Sequence, residues 1–278
     1  MKIHLRSIVL GITLMLFGGM SYGEVDETDQ ELTFSTASRA FKNGDFETAR
    51  TLFLSLAKFE HPKSQHNLGV IYSNGLGVPK DQQEATKWFR KSAEQGFRDA
   101  QHNLGMVYFN GLGVPEDQQE AAKWIRRSAE QGFSDAQHNL GVMYENGFGV
   151  LQDFREAVKW YRKTAEQGNS SGQVNLGAMY NDGLGVPQDH REAVKWYRRS
   201  AEQGNSVAQE NLGRMYYYGK GVSQDYVYAY MWLEIAAFGG EETAAKNMDF
   251  VIEKMTKDQL TDAQKLAKEC VKKNYKGC

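Results

Sequence analysis

The sequence predicts an all-α, right-handed α/α superhelical solenoid of about seven helix pairs, because one 36-residue pattern recurs five times without a change in spacing. Two markers carry this period, a Leu-Gly dipeptide and a tryptophan. The dipeptides begin at Leu68, Leu104, Leu140, Leu176 and Leu212, and the tryptophans are Trp88, Trp124, Trp160, Trp196 and Trp232. Units with such a period bury their apolar faces against their neighbours. The pattern therefore predicts an extended binding surface rather than a closed pocket.

The first helix of each unit, helix A, shows apolar or small residues at the spacing of one helical face. In the unit 99–132 they are Ala100, Leu104, Val107 and Tyr108. Gly105 inside this helix costs about 1 kcal/mol relative to alanine. Because a glycine recurs there in every unit, we expect a neighbouring helix to pack closely against it. The segment 110–115, Asn-Gly-Leu-Gly-Val-Pro, then ends helix A.

The second helix, helix B, begins with an Asp-x-x-Glu pattern. In this unit Asp117 is expected to cap the free backbone N–H groups while Glu120 reaches back in a capping box. The buried stripe of helix B is Ala121, Trp124, Ile125, Ser128 and Ala129. Gln131-Gly132 supplies the C-terminal stop.

The pattern changes towards both ends, which is typical of capping segments. We predict a single solenoid over residues 24–278: an N-terminal cap pair at 24–60, five repeats at 61–240 and a C-terminal cap at 241–278. Thr256 and Gln259 are spaced for a capping box at the start of a final helix running to about Lys273. That helix is rich in charged residues and suits a solvent-facing lid.

The first 23 residues have the composition of a secretory signal peptide. Lys2 and Arg6 precede an apolar run from Ile8 to Phe17, which is too short to cross about 30 Å of hydrocarbon. We therefore expect an exported protein, periplasmic or secreted. Without residues 1–23 the chain has 31 basic and 35 acidic residues, a net charge of −4. This charge argues against nucleic-acid binding, and no later apolar run is long enough for a stable membrane span.

Only two cysteines occur in the chain, Cys270 and Cys278. In an oxidising compartment we expect them to form one disulfide that closes the segment 271–277 onto the final helix. A loop this short would contribute about 2.5 kcal/mol in the chain-entropy model.

The unit pattern resembles the Sel-like repeat (SLR) family of tetratricopeptide-type helical repeats. In one unit the matching residues are Ala100, Leu104, Gly105, Tyr108, Gly111, Gly113, Val114, Asp117, Ala121, Trp124, Ala129 and Gly132. The resemblance covers about residues 63–256. It implies α/α superhelices that act as adaptors or receptors for other proteins, with the A helices lining the concave surface.

Positions on helix A opposite its buried face would then line this surface, which we call the helix-A groove. They vary between units, as a groove for a non-repeating ligand would require, although exposed positions can also vary without function. The residues predicted to bind a partner are His66, Val70, His102, Met106, Phe109, His138, Val142, Glu145, Asn181, Arg214 and Tyr217. The apolar members favour an interaction site.

An asparagine also recurs beside these positions, at Asn67, Asn103, Asn139, Asn175, Asn211 and Asn247. Two interpretations are open: the amides hold the backbone of an extended peptide, or they bond neighbouring helices at the edge of the buried face. The groove histidines cannot readily share a metal ion, because helices stand about 8–10 Å apart whereas a His–Zn bond is about 2.0–2.1 Å. We expect no metal and no cofactor.

Helix B carries a stripe of Lys and Arg on its convex face. In each of the first four units a glutamate follows the middle arginine by four residues, as Glu130 follows Arg126, which predicts ion pairs on a solvated surface. No Gly-x-Ser-x-Gly or His-Glu-x-x-His motif occurs. The sequence therefore predicts a monomeric, non-enzymatic scaffold that binds a protein or peptide. The alternative is an envelope hydrolase, or a glycan- or peptidoglycan-binding module, that uses the groove histidines or the basic face.

Overall fold

The computed structural model describes residues 27–278, and in this range the chain forms fourteen α-helices and no strand. The predicted signal peptide lies outside the described residues. The helices are α1 (Glu27–Lys42), α2 (Phe46–Ala57), α3 (Pro62–Asn74), α4 (Gln82–Glu94), α5 (Arg98–Asn110), α6 (Gln118–Glu130), α7 (Ser134–Asn146), α8 (Phe154–Glu166), α9 (Ser170–Asp182), α10 (His190–Ala201), α11 (Ser206–Tyr218), α12 (Tyr226–Phe238), α13 (Glu242–Ile252) and α14 (Lys257–Lys272). Consecutive helices pack in pairs along the chain, which confirms the all-α solenoid. The A helices of the five units are α3, α5, α7, α9 and α11.

The glycine inside helix A marks the closest approach of the two helices within a unit. A Cβ atom on Gly105 would lie 2.5 Å from Ile125 Cγ1 and 3.1 Å from the Ala121 carbonyl oxygen. In the neighbouring units the same space is filled by the rings of Phe89 and Tyr161. The close packing predicted from the recurrent glycine is therefore confirmed.

The loop between the helices of a unit holds the preceding unit in place. Gly111 ends α5 in the left-handed conformation, with φ of 64°. Gly113, with φ of 74°, lies on the start of α4, where a Cβ atom would come within 2.6 Å of the Gln82 carbonyl. Each loop of this type therefore fixes the spacing between two units as well as the turn between two helices.

The capping boxes predicted for the repeats are only half formed. The Asp117 carboxylate accepts a hydrogen bond from the Glu120 backbone N–H at 2.9 Å. The Glu120 side chain does not return to the cap but binds Lys123 at 2.9 Å, because the Asp117 N–H already donates to the Tyr108 carbonyl. At α14 the full box forms between Thr256 and Gln259, as predicted.

A ladder of buried glutamines, which the sequence analysis did not single out, joins each unit to the next. Gln101 is 5% exposed and donates from Nε2 to the Ala93 carbonyl at 3.2 Å. Its Oε1 accepts from Gln131 at 2.7 Å. The signal was present in the sequence, since a glutamine stands at this position in all five units: Gln65, Gln101, Gln137, Gln173 and Gln209.

The C-terminal helix α14 packs against α12 and covers a face that earlier units leave to solvent. Met231 and Ile235 of α12 are 1% and 3% exposed, at the register where the first four units carry Lys or Arg. Cys270 and Cys278 form a disulfide with a Cα–Cα distance of 5.6 Å. Tyr275, inside the closed segment, packs against Gly204 at the end of the preceding unit. The helix predicted as a lid thus lies along the helix-B side of the last unit.

Candidate interaction groove

The residues predicted to line the helix-A groove differ in their availability. Of the eleven residues predicted to bind a partner, Arg214 is exposed and the others are half-buried. The apolar members pack against clusters formed by helix B of their own unit and helix A of the next. Met106 and Phe109 contact the cluster built from α6 and α7, and Val142 contacts the one built from α8 and α9. Part of their apolar character is therefore explained by packing between units.

The histidines and asparagines of the groove bind each other across neighbouring units. The Nδ2···Nε2 distances are 3.0 Å for Asn103 with His66, 2.9 Å for Asn139 with His102 and 3.2 Å for Asn175 with His138. An amide nitrogen only donates, so the imidazole Nε2 accepts and each ring is neutral. These contacts are the bonds between neighbouring helices that the second interpretation of the asparagines predicts.

Burial keeps these imidazoles neutral. Desolvation lowers the pKa of His66, His102 and His138 below the usual value of 6.5, and the carboxylates of Asp99 and Asp135 only partly oppose it. Phe97 contacts His66 edge-on, with ring centroids 5.3 Å apart. Within residues 27–278, no three His, Cys, Asp or Glu side chains come together where they could hold a metal ion.

In the third unit, one further hydrogen bond joins two side chains of the groove. The Tyr161 hydroxyl of α8 donates to Glu145 Oε2 at 2.5 Å. Burial, followed by the nearby Glu145 carboxylate, raises the pKa of this phenol above its usual value. Glu145 and His138 of the third unit are therefore both hydrogen-bonded, to Tyr161 and to Asn175 of the next unit.

The groove is different at its C-terminal end, where the recurrent partners are replaced. Val174, 9% exposed, stands in the register of the histidines, so Asn211 has no hydrogen-bond partner among the described residues. Asn181 stands in the register of Glu145. Three of the predicted residues, Asn181, Arg214 and Tyr217, lie around two adjoining depressions here. These three residues could be named from the sequence, but the break in the histidine series at Val174, beside which they lie, was not recognised there.

The convex arginines are bound differently from the prediction. Arg126 donates to the Tyr144 hydroxyl of the following helix A at 2.6 Å instead of pairing with Glu130. The same contact recurs for Arg90 with Tyr108, Arg162 with Tyr180 and Arg198 with Tyr216. The predicted i,i+4 ion pairs are therefore wrong. The reason is that the tyrosine of the next unit lies within reach and also receives the guanidinium against its ring, at 5.6 Å from the centroid for Tyr144.

None of the helices in the described range, residues 27–278, is long and apolar enough to cross a membrane. No curated protein matches the chain.

The model of the Sel1 repeat family matches residues 62–97, 98–133, 134–169, 170–205 and 206–237. Among solved structures, a protective antigen of uropathogenic Escherichia coli strains that displays an SLR fold is 35% identical, with a TM-score of 0.82. The match covers 89% of this chain and 55% of that one, so this chain spans about half the length of the E. coli protein. A Sel1 repeat protein from Oxalobacter formigenes is also 35% identical, with a TM-score of 0.73, over 77% of this chain and 88% of that one. By the five repeats and these two likenesses, the chain belongs to the Sel1 repeat family.

Proposed function

We propose that this chain is an exported, non-enzymatic scaffold that binds a segment of a partner protein along its helix-A groove. Proteins of the Sel1 repeat family commonly serve as protein-interaction scaffolds and are generally not enzymes. One observation carries the assignment to the groove: a single helix-A register changes its chemistry along an otherwise constant frame. Successive units place Val70, Met106, Val142, Ala178 and Arg214 there. A ligand that lies across the units would meet a different side chain in each.

Export is supported by the disulfide at the C-terminus. Cys270 and Cys278 are bonded, and such bonds persist mainly in oxidising compartments outside the cytosol. The composition of residues 1–23 agrees with a periplasmic or secreted destination. The convex face gives less support to the alternative of glycan binding, because its recurrent arginines are engaged by tyrosine hydroxyls.

The test is site-specific photo-crosslinking with a diazirine-bearing amino acid at Ala178, in the middle of the groove. The matched control places the same probe at Lys159 on helix B, whose side chain is 65% exposed. Both variants are irradiated with envelope extract and secreted material, and the products are identified by mass spectrometry. We expect the same protein to be labelled from position 178 and not from position 159.

An excess of unlabelled wild-type chain must abolish this labelling, which excludes nonspecific capture by the probe. Labelling from position 159 alone, or equal labelling from both positions, would contradict the assignment to the groove. The control is the more exposed of the two positions, so accessibility alone cannot produce the expected result.

A further inference from the structure

Two depressions meet at the C-terminal end of the helix-A groove and share the side chains of Arg214 and Tyr218. The smaller one is about 60 Å³, and we call it the polar subsite. The larger one is about 230 Å³, and we call it the apolar subsite. Because Arg214 lines both, a group bound in one subsite lies within a side-chain length of a group bound in the other.

The polar subsite contains hydrogen-bonding groups that the chain leaves unused. The Oδ1 atom of Asn181 is buried and has no donor, while its Nδ2 donates to Asp182 at 2.7 Å. Asn211 lacks a partner because Val174 replaces the histidine that binds the equivalent asparagine in earlier units. A buried acceptor without a donor costs about 1–3 kcal/mol, so a ligand with an N–H group would be favoured beside Asn181.

The same place holds two cations that form no ion pair with a carboxylate of the described residues. Arg214 and Lys220 take part in none of the ion pairs found in residues 27–278. Glu210, one turn before Arg214, is bound instead by the Thr243 hydroxyl at 2.6 Å and the Asn247 amide at 2.8 Å. Asp182 holds the Asn181 amide and lines neither subsite. Its charge acts on Tyr197, which lines the polar subsite: burial raises the pKa of this phenol, Asp182 raises it further and Arg214 opposes the rise. The charge that complements this site is a carboxylate between Arg214 and Lys220.

Apart from Arg214 and Asn247, the apolar subsite is lined by aromatic and aliphatic side chains that are in part open to solvent. Tyr218 and Phe250 are 60% and 59% exposed, and Leu233 and Val251 form the floor. Tyr217 contacts Tyr218 edge-on with ring centroids 4.9 Å apart, which fixes one wall. Exposed large apolar residues that meet around a depression favour the binding of an apolar group.

We propose that these two subsites together bind the C-terminal residue of a partner protein, one that ends in a bulky apolar side chain. This inference rests on the function proposed above and specifies its ligand. The terminal carboxylate lies between Arg214 and Lys220 and also accepts from the Asn211 amide, the last backbone N–H donates to Asn181 Oδ1, and the side chain enters the apolar subsite. All three groups branch from one Cα atom, which suits subsites that share Arg214. An internal acidic residue fits less well, because adjacent side chains of an extended segment point to opposite sides.

The test is fluorescence polarisation of the purified chain with labelled pentapeptides. The probes end in leucine with a free carboxylate, in leucine with a carboxamide, and in aspartate with a free carboxylate. We expect saturable binding of the leucine acid and at least about tenfold weaker binding of the other two, since each lacks one of the matched groups. Free leucine is added as a competitor, and we expect it to compete far more weakly than the unlabelled peptide.

Two variants test the site without relying on the loss of a folded structure. Arg214→Ala should weaken the leucine acid about tenfold and reduce the preference over the carboxamide, whereas Arg155→Ala, an exposed arginine on α8, should change neither. Val174→His restores the partner that Asn211 lacks and should weaken binding without removing a charge. Three earlier units already hold a histidine in this register, so the frame accommodates it.

Equal binding of the acid and the carboxamide would overturn the proposal, and so would the absence of saturable binding of the leucine acid up to millimolar concentration. Competition by free leucine at the strength of the peptide would overturn the protein terminus as the ligand. In each of these cases, specific crosslinking at position 178 would still support the groove. Without that crosslinking, preferential binding of the leucine acid would show that only the end of the groove takes a ligand.

Discussion

The first three units and the last two differ in how the polar side chains of the groove are hydrogen-bonded. In the first three, each groove histidine is bound to an asparagine of the next unit, and Tyr161 is bound to Glu145. In the fourth unit, Val174 and Asn181 replace those partners, so Asn211 and the Oδ1 atom of Asn181 have no hydrogen-bond partner among the described residues. The fifth unit keeps one such bond, from Asn247 to Glu210. Similar side chains are therefore bonded to a neighbouring unit at one end and in part left without such a bond at the other. The two regions are distinguished by whether a side chain has a hydrogen-bond partner within the chain, and not by the type of residue.

The largest effect should come from breaking the buried glutamine ladder, which runs through both regions. Gln137 makes two bonds, to the Ala129 carbonyl at 3.1 Å and from Gln167 at 2.7 Å, whereas Gln209 makes one, to the Ala201 carbonyl at 3.1 Å. Gln137→Leu should lower the free energy of unfolding by about 3 kcal/mol, and Gln209→Leu by about half as much, because fewer buried groups lose their partner. Urea denaturation measures both. Equal losses would show that the ladder does not stabilise through these bonds.

A smaller effect is expected from removing the disulfide at the end of the open region. Replacing Cys270 and Cys278 by serine should lower the free energy of unfolding by about 2.5 kcal/mol, because the denatured chain gains the freedom of the opened loop. Hydrogen exchange should become faster in α14 and on the face of α12 that it covers, and should be unchanged in α3 to α8. Faster exchange throughout the chain would contradict this local role.

Exchanging the residues that distinguish the two regions should have effects of opposite sign. His102→Val leaves the half-buried Asn139 amide with only a weak contact to the Met106 sulfur, at 3.4 Å, and should lower the free energy of unfolding by about 1–2 kcal/mol. Val174→His gives Asn211 a partner and should be neutral or stabilising. Thermal unfolding of the two variants against wild type measures the difference. If both variants destabilise the chain equally, the contacts between histidine and asparagine are not what separates the regions.

The two regions should also differ in their response to acid. Because burial lowers the pKa of the groove histidines below 6.5, the unfolded chain takes up protons first, and stability is lost as the pH falls from about 6.5 through the lower folded value. The facing carboxylates Asp99, Asp135 and Glu145 reduce this loss but do not reverse it.

We therefore expect urea midpoints to fall between pH 7.5 and 5.5, with hydrogen exchange rising first in the first three units. The triple variant with His66, His102 and His138 replaced by valine is the control and should show a flatter dependence on pH. An identical slope in the triple variant would exclude the histidines as its source.

Most of the fold could be predicted from the sequence, because the same local sequence features recur every 36 residues. The apolar face, the glycine for close packing and the Gly-x-Gly loop recur together, so a helix boundary inferred in one unit is tested by four others. Asp117 illustrates this point: its cap on α6 forms as predicted and recurs at the starts of α4, α8, α10 and α12.

What the sequence did not predict depends on contacts between units. Arg126 binds a tyrosine 18 residues away rather than the glutamate four residues away, and no helical spacing indicates such a choice. Met106 was predicted to be open but is half-buried against α6 and α7. The packing of α14 had a usable signal, because Met231 and Ile235 replace basic residues of the earlier units. The groove break at Val174 was visible only as one substitution in a series, and its meaning required knowing that the histidines bind the asparagines.

The contact between α14 and α12 bears on how the number of repeats can change in evolution. The final helix and the segment closed by the disulfide pack against the last units, with contacts that include Met231, Ile235 and Gly204. A duplication or deletion of one 36-residue unit before residue 170 would therefore lengthen or shorten the groove. It would not alter the packing of α14, the disulfide or the two depressions beside them. The length of the groove and the packing at its C-terminal end can thus change independently.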